Sequence, residues 1–108
     1  MEYSIFLTSE AEQDLDDIYD YIFKHDSPKN AEYVITEIEK AYMGLETFRN
    51  RGTYPKELLG LGIKRYRELY FKPYRIIYRI KDKKVFIMFI SDGRRNMRKL
   101  LQDRLLKS

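Results

Sequence analysis

At 108 residues, with 44% hydrophobic and 35% charged side chains, the chain is long enough for one domain spanning 1–108 with its own core, and too apolar to stay disordered. It has no cysteine and one histidine, His25, which excludes a disulfide framework, thiol catalysis, thiolate metal sites and a metal centre built from imidazoles. The net charge of +4 conceals an asymmetry, because residues 1–46 hold 3 Lys/Arg against 12 Asp/Glu while residues 47–108 hold 18 against 5, so the C-terminal half is suited to a polyanion or an acidic partner.

In chain order, Tyr3-Ser4-Ile5-Phe6-Leu7 alternates and predicts a first strand with Tyr3, Ile5 and Leu7 on one face. Thr8 or Ser9 then caps a helix whose first turns carry Glu10, Glu12 and Asp14, where the helix dipole favours negative charge. Ala11, Leu15, Ile18 and Ile22 form its apolar stripe, and it should end near His25. Ser27-Pro28 predicts a second helix, with serine as cap and proline at the first helical position. Its stripe runs Ala31, Val34, Ile35, Ile38, Ala41, Tyr42, Leu45 and Phe48. The two make a helical hairpin, acidic outside and apolar toward a sheet.

Residues 49–64 hold three glycines and a proline and read as a loop that Leu58, Leu59 and Leu61 fold back onto the core. A strand is expected over 65–71, broken at Lys72-Pro73 because proline cannot donate to a ladder. In the next, Tyr74, Ile76, Tyr78 and Ile80 point one way and Arg75, Ile77 and Arg79 the other. After the polar break Lys81-Asp82-Lys83-Lys84, Val85 to Ile90 is apolar on both faces, as a central strand covered on each side requires. It runs out into Ser91-Asp92-Gly93-Arg94-Arg95. Met97, Leu100, Leu101 and Leu105, set among Arg98, Lys99, Arg104 and Lys107, predict a short basic amphipathic helix at the end. The order is β-α-α-β-β-β-α, an α+β domain with a helical hairpin packed on an antiparallel sheet.

One sheet face is then left for function. Arg75 and Arg79 should lie on it, with Lys64 and Arg67 arriving from the neighbouring strand and Arg94 and Arg95 at its end. Guanidiniums bind phosphate or carboxylate bidentately, and Tyr66, Tyr70 and Tyr74 beside them offer rings for stacking. Elsewhere the chemistry is thin. His25 falls in the interhelical turn, the acids of the first helix scatter around it as a solvated face, and no Gly-rich phosphate loop or Ser/His/Asp set is present. No apolar run approaches the roughly 18 residues that span a bilayer, and the acidic N-terminus lacks signal-peptide regions; a cytoplasmic protein needing no cofactor is expected.

Three segments taken together, LTSEAEQDLDDIYDYI, RELYFKPYRIIYRI and VFIMFISDGRRNMRKLL, resemble the RelE/ParE superfamily of bacterial type II toxins over essentially the whole chain. The resemblance implies a compact α+β domain and a cognate antitoxin that wraps it, for which the basic half and the apolar residues Met97, Leu100, Leu101 and Leu105 offer docking surface. It also divides by target. RelE-like members cut mRNA on the ribosome, with arginines and lysines stabilising charge on the reacting phosphate; ParE-like members poison DNA gyrase. Arg75 in YRIIY and Arg95 in GRR match two arginines of the RNA-cleaving branch. That branch also carries a lysine pair where this chain has Tyr66, Arg67 and Glu68, and a tyrosine where it has Leu101. The resemblance therefore implies first a gyrase-binding toxin, with Lys64, Arg67, Arg75, Arg79, Arg94, Arg95 and Arg98 as target-binding residues. The alternative is an mRNA endonuclease using Arg75 and Arg95, with Tyr70, Tyr74 or Glu68 in proton transfer; a relative that only binds its antitoxin is the third.

Overall fold

The computed structural model describes residues 2–106; Lys107, assigned above to the closing helix, lies outside them. Strand β1 is Ser4–Leu7, followed by helices α1, Ser9–His25, and α2, Pro28–Met43. Both caps are those expected from sequence: Thr8 and Ser27 accept from the backbone N–H of Ala11 and Asn30. A 3-10 turn at Gly44–Glu46 ends the hairpin, so the apolar stripe stops at Leu45 and Phe48 is 69% exposed. The expected loop contains one helical turn, α3, Lys56–Leu59. Leu58 is buried there, while Leu59 and Leu61 face solvent, so only one of the three leucines returns to the core.

Strands β2, Tyr66–Phe71, β3, Tyr74–Lys81, and β4, Lys84–Asp92, form an antiparallel meander, and α4, Met97–Leu105, closes the chain. The β3–β4 turn is tight, with Asp82 at φ 58°, a conformation that aspartate tolerates better than most residues. The sheet order is β1-β4-β3-β2, with β1 parallel to β4. The sheet is therefore mixed rather than wholly antiparallel. The outer edge of β2 is taken by a bridge between Thr53 and Glu68, which leaves β4 as the edge β1 joins.

The hairpin covers one face. Ala11 and Ile22 of α1 with Ala31, Val34, Ile38 and Tyr42 of α2 pack on Leu69, Ile76, Tyr78, Val85, Ile87 and Ile90. Tyr78 is fully buried; its hydroxyl donates to the Arg49 carbonyl at 2.8 Å and accepts from the Gly52 N–H at 3.0 Å. Gly52 allows that approach, since a Cβ there would stand 2.5 Å from the Glu68 carbonyl oxygen. The second face is not open as the sequence suggests. Met97 and Leu101 of α4 and Leu58 of α3 cover Tyr66, Ile77 and Phe89. A bulge beside Ile77/Tyr78 sends Met88 and Phe89 into this same cluster. The two-sided apolar character of β4 is the trace of these two layers.

Candidate functional site

Arg75 leaves β3 on the α4 side of the sheet, where Tyr70 lies opposite it on β2 and Ser91 on β4. Instead of meeting solvent it is 6% exposed, gripped by two carboxylates. Its Nη1 and Nη2 donate to the two oxygens of Glu57 at 2.8 and 2.7 Å, a bidentate fork. Its Nε donates to Glu68 Oε1 at 2.8 Å, and Nη2 lies 2.6 Å from the same oxygen. The Tyr70 hydroxyl donates to the other Glu68 oxygen at 2.7 Å. Glu57 comes from α3, so this cluster fastens the 49–64 segment to the sheet. Two carboxylates around one guanidinium leave an excess negative charge, and an incoming phosphate would have to displace one of them.

The electrostatics follow. Hydrogen bonds from Arg75 hold the Glu57 carboxyl below the usual carboxylate range, and the same bonds, accepted by Glu57, hold Arg75 the more firmly protonated. Burial, and then the hydrogen bond to Glu68, raise the Tyr70 hydroxyl above its ordinary value. Burial and the nearby Asp92 do the same to Tyr74. Gly93 belongs to this site as well. A Cβ on it would stand 2.7 Å from Arg75 Cδ and 2.9 Å from Cγ, so the glycine of DGRR makes room for the stem of the arginine of YRIIY.

The other predicted site residues divide among several places. Arg67 pairs in register with Tyr78 and lies on the hairpin face, opposite to Arg75 and Arg79. It donates to the Gly52 carbonyl at 2.9 Å and stacks 4.7 Å from the Tyr54 ring centroid. The single arginine face drawn from sequence is thus split by the strand alternation of β2. Lys64 is exposed just ahead of that strand. Arg94 turns back onto Asp92, with Nη2 2.6 Å from its carboxylate, and this contact lowers the Asp92 pKa. Arg95 and Arg98 are exposed. Met97 and Leu101, at 4% and 0% exposure, are spent on the core, with Leu100 and Leu105 half-buried against it. His25 stacks on Tyr21 with centroids 4.2 Å apart. Among the described residues no group of three or more His, Cys, Asp or Glu could hold a metal ion, and no helix is long and apolar enough to cross a membrane.

Two features escaped the sequence. Arg104 of α4 reaches Asp14 of α1 at 2.7 Å, and Asp14 also accepts from the backbone N–H of Ile90 at 3.0 Å. This joins both helical layers along the edge of β4 beyond the end of β1. Arg104 Nε lies 3.2 Å from Glu10 but out of line for a hydrogen bond. Burial raises the Asp14 pKa against the opposing pull of Arg104. Alongside runs a cleft of about 940 Å³ between the hairpin and the ends of β3 and β4. Asp17, Tyr21, Tyr33 and Tyr74 line it, with Arg94 and Arg95 among its other lining residues.

Comparison with known proteins agrees with this architecture. No curated protein matches the chain significantly. A solved structure of the chromosomal ParDE toxin–antitoxin system from P. aeruginosa is 26% identical, with a TM-score of 0.71 over 84% of this chain and 96% of that one. The RelBE2 toxin–antitoxin complex from Mycobacterium tuberculosis, 22% identical, shares the fold with a TM-score of 0.58 over 85% and 92% of the two chains. The family model of the ParE toxin of the type II toxin–antitoxin system parDE matches residues 5–97. The chain belongs to the ParE toxin family of type II toxin–antitoxin systems, within the RelE/ParE superfamily.

Proposed function

We propose that this toxin acts by binding DNA gyrase, without cutting RNA itself, and that a cognate antitoxin neutralises it. The carrying observation is the state of Arg75. A group that must stabilise charge on a reacting phosphate has to be reachable, and this one is buried in a bidentate pair with Glu57 and a second contact to Glu68. The candidates for proton transfer are equally ill-suited: Tyr70 and Tyr74 are both raised away from neutrality, and Glu68 already accepts from Tyr70 and Arg75. Arg95 and Arg98, exposed around the start of α4, and Arg94 beside them are the target-facing cations on this reading. The antitoxin partner follows the ParDE relative, whose structure is that of a toxin–antitoxin system.

The test is to induce the chain in bacteria and follow DNA and protein synthesis separately, with purified gyrase assayed for supercoiling in parallel. Early loss of DNA synthesis while translation continues, with supercoiling inhibited in vitro, is expected. Prompt arrest of translation with mRNA cut at ribosome-occupied codons would overturn the reading. Arg94→Ala with Arg95→Ala should weaken toxicity without unfolding the domain; full toxicity in that folded variant would remove the arginine turn from the mechanism.

A further inference from the structure

The arginines that leave the sheet or cross its layers have partners, with one exception. Arg67 donates to Gly52, Arg75 to Glu57 and Glu68, and Arg104 to Asp14. The side chain of Arg79, two residues before the end of β3 and half-buried, has no hydrogen bond or ion pair among the described residues. Its neighbours explain what such a group could meet. Arg79 stands opposite Phe86 on β4 and Tyr66 on β2, and Phe86 stands opposite Phe6 on β1. Cross-strand neighbours point to the same face, so one row across all four strands reads Phe6, Phe86, Arg79, Tyr66.

This row lies on the α4 side of the sheet; its Tyr66 end is covered by α4, while Phe6 and Phe86 at the other end lie beyond the helix. Neither Phe6 nor Phe86 belongs to either core cluster, and Phe6 is 44% exposed. The two rings are stacked, with centroids 5.7 Å apart and planes 26° apart, and Lys84 Nζ stands 5.9 Å from the Phe6 centroid. Lys81 faces Lys84 across the hairpin end, and Arg65 lies 5.6 Å from the Tyr66 ring. The segment Arg79–Lys84 carries four cations and one acid, Asp82. Neither Lys81 nor Lys84 forms an ion pair among the described residues, and β1 contributes Ser4 and Phe6 beside them.

We infer that this uncovered half-face is a binding site for single-stranded nucleic acid. Bases stack on the Phe6–Phe86 platform while Arg79, Lys81 and Lys84 follow the phosphates. The charge is complementary to a polyanion, and the exposed Phe6 ring with the half-buried Phe86 beside it is complementary to unpaired bases, which a duplex keeps stacked inside. The site is independent of the gyrase reading and lies at the opposite end of the sheet from the Arg75 cluster and the arginine turn.

Fluorescence anisotropy of the full chain with labelled dT12, rU12 and a DNA duplex of matched length tests it, and the preferred single strand identifies DNA or RNA as the source. Binding to a single strand, tighter than to the duplex, is expected. Phe6→Ala should weaken it about 5- to 100-fold, with Phe6→Tyr restoring most of the loss. Arg79→Gln should reduce the slope of log affinity against log salt by about 0.7, one single-strand phosphate contact. Lys29→Gln, at the exposed start of α2, removes the same charge elsewhere and should change neither quantity comparably. Circular dichroism establishes that each variant is folded. The inference is overturned if neither oligonucleotide binds, if duplex binds as well as single strand, or if folded Phe6→Ala and Arg79→Gln bind unchanged. It is also overturned if Phe6→Ala abolishes only self-association in sedimentation velocity.

Discussion

Replacing Arg75 by methionine separates a structural from a phosphate-binding arginine. The substitution keeps much of the stem's volume and strands two carboxylates whose side chains are only 12% and 3% exposed, those of Glu57 and Glu68. Breaking a buried pair by removing one partner costs about 3–5 kcal/mol, against a total of roughly 5–15 kcal/mol for a domain of this size. Because about 1 kcal/mol shifts the melting temperature of such a domain by about 4–8 °C, Arg75→Met should melt at least ~12 °C early. The informative variant is the triple Arg75→Met, Glu57→Met, Glu68→Met. It removes the stranded charges with the arginine, and replacing a whole buried cluster by apolar groups is often neutral or favourable. Tyr70, 53% exposed, loses its acceptor but can turn to water. Urea denaturation followed by circular dichroism at pH 7 compares the three proteins. The expected order is wild type and triple variant close together, with the single variant several kcal/mol below. A single variant within about 1 kcal/mol of wild type, or a triple variant no better than the single, would refute the account of Arg75 as a buried, carboxylate-held arginine.

The same cluster predicts a pH dependence. The folded-state pKa of Glu57 is lowered, chiefly by hydrogen bonds from Arg75. Its contribution is therefore present above the ordinary glutamate pKa and is lost as pH falls through the depressed folded value. The stability difference between wild type and Glu57→Gln should accordingly be largest near neutrality and shrink at acid pH; a constant difference from pH 7 down to acid unfolding would contradict it. Gly93→Ala should cost about 1–3 kcal/mol, since its Cβ meets the stem of Arg75 at 2.7 Å. Unchanged thermal stability there would mean that the arginine stem moves aside freely. Asp14→Ala leaves both the Ile90 N–H and Arg104 without an acceptor and should cost about 1–3 kcal/mol. Hydrogen exchange at the Ile90 amide should rise; unaltered protection would show that the edge of β4 does not depend on this cap.

Most of the secondary structure was legible along the chain because it rests on local rules. Thr8 and Ser27 cap the helices they precede, Pro28 opens α2, and the period-two run 74–80 is a strand. Even the second covering layer was announced by the two-sided apolar run Val85–Ile90, although the reading of an open arginine face set that clue aside. Glu57 left a trace too: a rare acid in a half with only five Asp/Glu is a natural partner for an arginine on a buried strand. What sequence could not supply is which distant groups meet. Whether Arg75 faces a phosphate or a carboxylate depends on one turn of helix 18 residues away folding over it. Whether Arg67 joins it depends on the β2 register, since a shift of one residue exchanges the faces. The parallel pairing of β1 with β4 and the row of Phe6, Phe86 and Arg79 across three strands likewise exist only once the sheet is assembled. Local patterning determined the elements and their buried faces; long-range pairing decided which cations are neutralised and which remain available for a partner.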